Sequence, residues 1–221
     1  MHAAKLIPAH SLEHEHELQR GRPLAQLVAP GRLVELCGPA QTTAAVSVLA
    51  ELQRSGETCV WIQPAQGSLY PPDLLAAGVD VESLVVVHIP TSKTMPGPAG
   101  QCRAAELLLR SGGFGLVVLD FAHDEPKVSS AWQGRLLGLV RQHEARLLIL
   151  RPRGREDRPS LGPLISLRIA AYAERASRGE DPPGFAPKTG RFVLRHEVLK
   201  NKTGAPLEPA PQTLRGPWGV H

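Results

Sequence analysis

Five short apolar runs, spaced so that a helical stretch fits between most neighbours, constrain this chain more than any other feature. They occupy residues 31–37, 58–62, 84–89, 115–120 and 146–150. The run Gly115-Leu-Val-Val-Leu-Asp120 is apolar at every internal position rather than at alternate ones. That pattern marks a strand covered on both faces, as in the middle of a parallel sheet. Helical segments are predicted over 41–54, 73–77, 101–110 and 129–144, with Ser55-Gly56 ending the first in the manner of a glycine C-cap. Parallel strands need crossovers of this kind, so the spacing predicts an α/β domain with a mostly parallel central sheet flanked by helices.

The last third reads differently. Residues 166–173 and 190–199 look like strands, joined by a Pro/Gly-rich connection with no helix between them. A strand–loop–strand unit predicts an antiparallel extension of the sheet. Residues 203–221 carry Pro206, Pro209, Pro211 and Pro217 and few large apolar groups, which predicts an irregular, flexible tail. Before the first strand, Ser11 is placed to cap a short helix through Leu18, and Gly21-Arg-Pro23 breaks it. The expected organisation is one domain: a lead-in over 1–30, a core over 31–202 and a tail over 203–221.

Composition enters where it excludes classes. A chain of 221 residues with 42% apolar and 21% charged residues is long enough for one sizeable α/β core. Its net charge of +4 permits nucleic-acid contact without arguing for it. Cys37, Cys59 and Cys102 are odd in number and lack metal-ligand spacing, which points to structural thiols in a reducing compartment. No apolar run approaches the ~18 residues of a membrane span. With no secretory leader in the first residues, the expectation is a cytoplasmic protein without membrane contact. His10, His14 and His16 alternate with Glu13, Glu15 and Glu17 without a completing Cys or His, so they read as a solvated face and no metal site is expected.

The first strand runs into Gly38-Pro39 and then into a helix, which is where a nucleoside-triphosphate loop belongs. Such a loop reads G-x-x-x-x-G-K-[ST], its backbone N–H groups cradling phosphates and its Lys reaching the terminal ones. Counted from Gly38, the second glycine position holds Thr43, the lysine position Ala44 and the hydroxyl position Ala45. No lysine occurs between Lys5 and Lys93.

Several segments resemble the RecA recombinases in order and spacing. Gly31-Arg-Leu-Val-Glu-Leu-Cys-Gly-Pro39 is similar to their first core strand and loop, and Leu52-Gln-Arg-Ser-Gly-Glu-Thr-Cys59 to the helix end and second strand. Ala77-Gly-Val-Asp-Val-Glu-Ser-Leu84 is similar to the segment before the third strand, and Leu116–Asp120 to the strand bearing a Mg²⁺ carboxylate. Val198-Leu-Lys-Asn-Lys-Thr-Gly-Ala-Pro206 is similar to the Lys-Asn-Lys segment near the end of the core. The resemblance implies a RecA-like three-layer core.

The departures from that family fall on its catalytic stations. The loop between Gly38-Pro39 and Thr42-Thr43 is shorter and lacks the phosphate-holding Gly and Lys. The loop after the second strand, which should supply a catalytic glutamate, offers Gln63-Pro-Ala-Gln66, and amides do not accept a proton as a carboxylate does. The fifth strand leads into Arg151-Pro152 instead of a sensing glutamine. Asp120 alone remains, and a lone carboxylate without phosphates holds Mg²⁺ poorly. Gly38, Pro39, Thr42, Thr43, Gln66 and Asp120 thus outline a degenerate nucleotide site, with no catalytic residues and no ATP or Mg²⁺ binding expected.

Among RecA-like chains with eroded sites, this one most resembles the ImuA-like accessory proteins of damage-induced mutagenesis. That resemblance implies a non-enzymatic adaptor in translesion synthesis, with RecA, an ImuB-type protein and an error-prone DNA polymerase as partners. A SulA-like division inhibitor and a divergent ATPase stay open as alternatives. Arg151, Arg153, Arg155 and Arg158 follow the fifth strand, where recombinases face single-stranded DNA, but Glu156 and Asp157 reduce the local charge and no aromatic residue is interleaved. Lys200 and Lys202 sit where the family presents lysines to a neighbouring subunit. Trp218, beside Pro217, is either a partner contact or folded back onto the domain.

Overall fold

The structure, a computed structural model, describes residues 21–67, 69–90, 97–121, 129–151, 158–175, 191–204 and 207–215. The elements run α1 (Leu24–Leu27), β1 (Arg32–Cys37), α2 (Gln41–Arg54), β2 (Cys59–Pro64), α3 (Pro71–Ala76) and β3 (Leu84–Ile89). They continue with α4 (Gly97–Ser111), β4 (Leu116–Asp120), α5 (Ser130–Gln142), β5 (Arg146–Leu150), β6 (Leu167–Arg175), β7 (Arg191–Asn201) and β8 (Gln212–Arg215). One eight-stranded sheet takes the order β3-β2-β4-β5-β1-β6-β7-β8. Pairing is parallel from β3 through β6 and antiparallel for β6–β7 and β7–β8. The predicted α/β architecture with an antiparallel extension is therefore the observed one.

The uninterrupted apolar strands follow from burial on both faces. Val34, Leu36, Cys59, Trp61, Leu116, Val118, Leu148 and Leu150 point to the side covered by α1 and α2. Their neighbours Leu33, Val60, Ile62, Val117, Leu119, Leu147 and Ile149 point to the side covered by α4 and α5. Each strand thus contributes alternate residues to two cores, the three-layer arrangement. Helix boundaries follow local chemistry. Ser129 accepts a hydrogen bond from the Trp132 N–H to cap α5, and Gly56, at φ +86°, terminates the chain's turn out of α2.

The lead-in and tail depart from expectation. The predicted helix at 11–18 lies outside the described residues. Leu24, Leu27 and Val28 are buried in the α2-side core, so that core begins before residue 31. The tail is not irregular throughout: β8 adds a strand to β7, and Leu207 and Leu214 pack against the same core. Arg22 and Ala210 tie the two ends together, the Arg22 N–H donating to Glu208 O at 2.8 Å and the Ala210 N–H to Arg22 O at 2.9 Å. Prolines at 209 and 211 precede β8 without removing one of its own N–H groups, so the strand forms behind them.

All three cysteines are buried thiols. Burial pushes Cys59 and Cys102 up to about 12 from an ordinary value near 9, with Glu57 adding to the rise at Cys59 and Arg146 opposing it. A thiol raised in the fold ionises first in the unfolded chain. These two groups therefore hold their stabilising effect below about pH 9 and lose it between about 9 and 12. Ellman's reagent at pH 8 is expected to leave both unmodified until denaturant unfolds the chain; rapid labelling of the native protein would contradict this burial.

Candidate functional site

In open α/β sheets ligands sit beyond the carboxyl ends of the strands, where connections leave on opposite faces. Here that point lies between β1, whose following helix covers one face, and β4 and β5, associated with α5 on the other. The residues gathered there are Gly38 to Thr43, Gln63, Asp120 and Arg151.

The β1–α2 connection is three residues, Gly38-Pro39-Ala40, and it is folded down onto β6. The Ala40 N–H donates to Ala171 O at 3.0 Å, and the Gln41 N–H to Gly38 O at 3.2 Å. Pro39 has no N–H to offer. Gly38 is buried at φ +94°, and a Cβ there would stand 2.5 Å from Ala171 O. The loop's backbone donors are thus turned inward. Thr42 and Thr43 occupy the first turn of α2, Thr43 exposed and Thr42 partly so. Gln41 is buried, its Nε2 donating to Arg151 O, and Ala40 provides no side-chain cap.

The other stations are equally closed. Gln63, at the end of β2, is 2% exposed, and the Gly67 backbone lies directly over its amide. Gln66 is exposed in the turn beyond, away from that buried position. Asp120 is buried at the end of β4, with the Gln101 Nε2 of α4 donating to its main-chain oxygen at 2.5 Å. Among the described residues no group of His, Cys, Asp and Glu has the arrangement of a metal site.

The basic residues part company. Arg151 is not on a DNA-facing loop: it is 2% exposed, and its Nη1 donates to Glu35 Oε1 at 2.6 Å. Its N–H donates to Leu36 O, continuing the β5–β1 pairing one residue past Leu150 and turning the side chain under the sheet. Glu35, fully buried in β1, also meets Arg168 Nε of β6 at 3.0 Å and accepts the Leu161 N–H at 2.9 Å. Sequence reasoning missed Glu35 and Arg168. The signal was a charge inside an apolar strand run, Leu33-Val-Glu-Leu36 and Leu167-Arg-Ile169, since such residues are rarely fully buried unless paired.

This cluster anchors the segment after β5. Lys200 Nζ donates to Ser160 Oγ at 2.8 Å and Gly162 O at 2.9 Å, and Lys202 Nζ to Pro163 O at 2.9 Å. Gln133 of α5 clamps the same segment, donating to Leu161 O and accepting the Leu164 N–H. Lys200 is half-buried and its ammonium is held below the usual range, first by burial and then by Lys202. Arg158 and Lys202 remain on the surface. Arg153, Arg155 and Trp218 lie outside the described residues.

No protein-family model matches the chain. Over 96 residues, 42% of its length, it is 36% identical to "Protein RecA" of Clostridium acetobutylicum, and over 93 residues 34% identical to the same protein of Teredinibacter turnerae. These matches span about a quarter of each recombinase. The crystal structure of the RadB recombinase superposes with a TM-score of 0.54 at 18% identity, covering 85% of this chain and 88% of that one. The fold is therefore of the kind seen in the RadB recombinase, and the sequence similarity to RecA covers part of the chain. Among the described residues no helix is long and apolar enough to cross a membrane.

Proposed function

We propose that this chain is a non-enzymatic RecA-like adaptor in damage-induced mutagenesis, resembling the ImuA-like proteins, with a degenerate nucleotide site. The observation that carries the reading is the closed β1–α2 connection. A phosphate cradle requires a run of free N–H groups wrapped around the anion. Here the Ala40 N–H is spent on Ala171 O of β6 and the Gln41 N–H on Gly38 O, and the lysine is missing. The amides at Gln63 and Gln66, where a water-orienting carboxylate is needed, argue the same way. A fold kept without its chemistry is useful for its surface. The resemblance names the partners: RecA, an ImuB-type protein and an error-prone DNA polymerase in the cytoplasm, with weak single-stranded DNA contact carried by Arg158 and Lys202.

Two measurements test this. Millimolar ATP with Mg²⁺ is expected to leave the melting temperature unchanged, since a ligand that does not bind the native state does not stabilise it. Pull-downs against RecA, the ImuB-type partner and the polymerase are expected to retain the chain with or without ATP. ATP-dependent stabilisation together with hydrolysis would favour a divergent ATPase instead. DNA contact is expected to weaken steeply with salt.

A further inference from the structure

Leu194 and Val198 of β7 pack into the α2-side core, so His196, midway between them, projects from the same face of the strand. Both of its ring nitrogens are shielded from water, and neither makes a hydrogen bond of normal geometry. A neutral imidazole has one donor and one acceptor to leave unmet, whereas an imidazolium has two donors and a charge. The second is far the costlier to bury. Burial accordingly holds the ring's pKa below its ordinary 6.5, with the Ala210 main chain opposing.

What covers the ring decides what its charge would do. On β6 the paired residue is Ala171, and Ile169 and Ala173 share its face. On the other flank Gln212 of β8 pairs with Leu194, which brings Ala210 alongside His196. Ala210 is where the tail meets the lead-in. The Arg22 N–H donates to Glu208 O and the Ala210 N–H to Arg22 O. The fit is close, since a Cβ at Gly21 would stand 2.8 Å from both Ala210 N and Glu208 O. The charged residues on these elements are Arg22, Glu208, and Arg195 and Glu197 of β7 itself. Arg195 and Glu197 alternate to the opposite face. Arg22 and Glu208 are exposed, and neither offsets a charge on the ring.

We propose that His196 is an acid-sensitive latch beneath the junction of lead-in and tail: its ring takes up a proton when Glu208, Pro209 and Ala210 detach from Arg22 and admit water. A group that is harder to charge in the closed form binds protons preferentially in the open one. The junction is therefore closed above about pH 6.5 and opens increasingly as the pH falls below it. Leu207 lies beside the detaching residues and packs on the same core as Leu24, so opening uncovers apolar surface that the closed form hides. The inference does not depend on the adaptor reading.

Amide hydrogen exchange followed residue by residue by NMR tests the latch, because the Arg22 and Ala210 N–H groups are themselves the donors across the junction. Their protection, corrected for the intrinsic exchange rate at each pH, is expected to hold above about pH 6.5. Below it, protection should fall by up to about tenfold per pH unit, one proton entering per opening. The Phe121 N–H, bonded to Leu150 O in the middle of the sheet, should keep its protection throughout. His196→Leu and His196→Gln, neither able to take up the proton, are each expected to level the pH profile at Arg22 and Ala210. Protection there that is flat with pH in the native chain overturns the proposal. So does a loss that persists in both variants, which assigns it to another group, or one that Phe121 shares, which assigns it to global unfolding.

Discussion

Glu35→Ala is expected to lower the unfolding free energy by about 3–5 kcal/mol, the cost of leaving buried cations without their anion. The carboxylate serves Arg151, Arg168 and the Leu161 N–H at once, and all three lie where water does not reach freely. Against a total of roughly 5–15 kcal/mol for a domain, that loss is about a fifth or more. Urea denaturation would show it as a shifted midpoint at unchanged slope. The diagnostic control is the triple variant Glu35→Ala, Arg151→Met, Arg168→Met. Removing every charge of the cluster should recover much of the loss, because a buried pair contributes little net but a broken one is costly. A single-variant loss under about 1 kcal/mol would mean that the cluster is not what secures the segment after β5.

Gly38→Val is expected to cost about 3 kcal/mol or more, combining a left-handed backbone that β-branched residues resist with a steric collision. The backbone sits at φ +94°, and the added Cβ would meet Ala171 O at 2.5 Å. Relief requires β6 to separate from the loop, which breaks the Ala40 N–H bond to Ala171 O. Thermal denaturation should register the loss, and Gly38→Ala should fall between the two. Near-native stability for the valine variant would show that the loop can open, and with it room for a phosphate cradle.

The fold was legible because its signals are local. Apolar runs at 84–89 and 146–150 coincide with β3 and β5, and the helix read over 41–54 coincides with α2. Each needed only its own composition and its flanking Gly, Pro or Ser. β8 was hidden because Gln212-Thr-Leu-Arg215 has almost no apolar alternation; it is a strand only because β7 lies beside it. The strand-end site was half legible. The missing lysine is visible in the sequence, but the inward turn of the Ala40 N–H depends on β6, which lies far along the chain.

Arg151 shows the division most sharply. Counted among four arginines in eight residues it reads as a solvent-facing cation. Whether it meets phosphate or carboxylate depends on Glu35, 116 positions earlier, and no local pattern encodes that distance. The chain alone determined the alternation of strands and helices, the double-sided burial of the sheet and the lack of a lysine in the connection after the first strand, because each rests on residue types at short separations. The tertiary structure alone decided which charges are spent inside the domain and which stay on its surface, because pairing across strands is set by the fold's register.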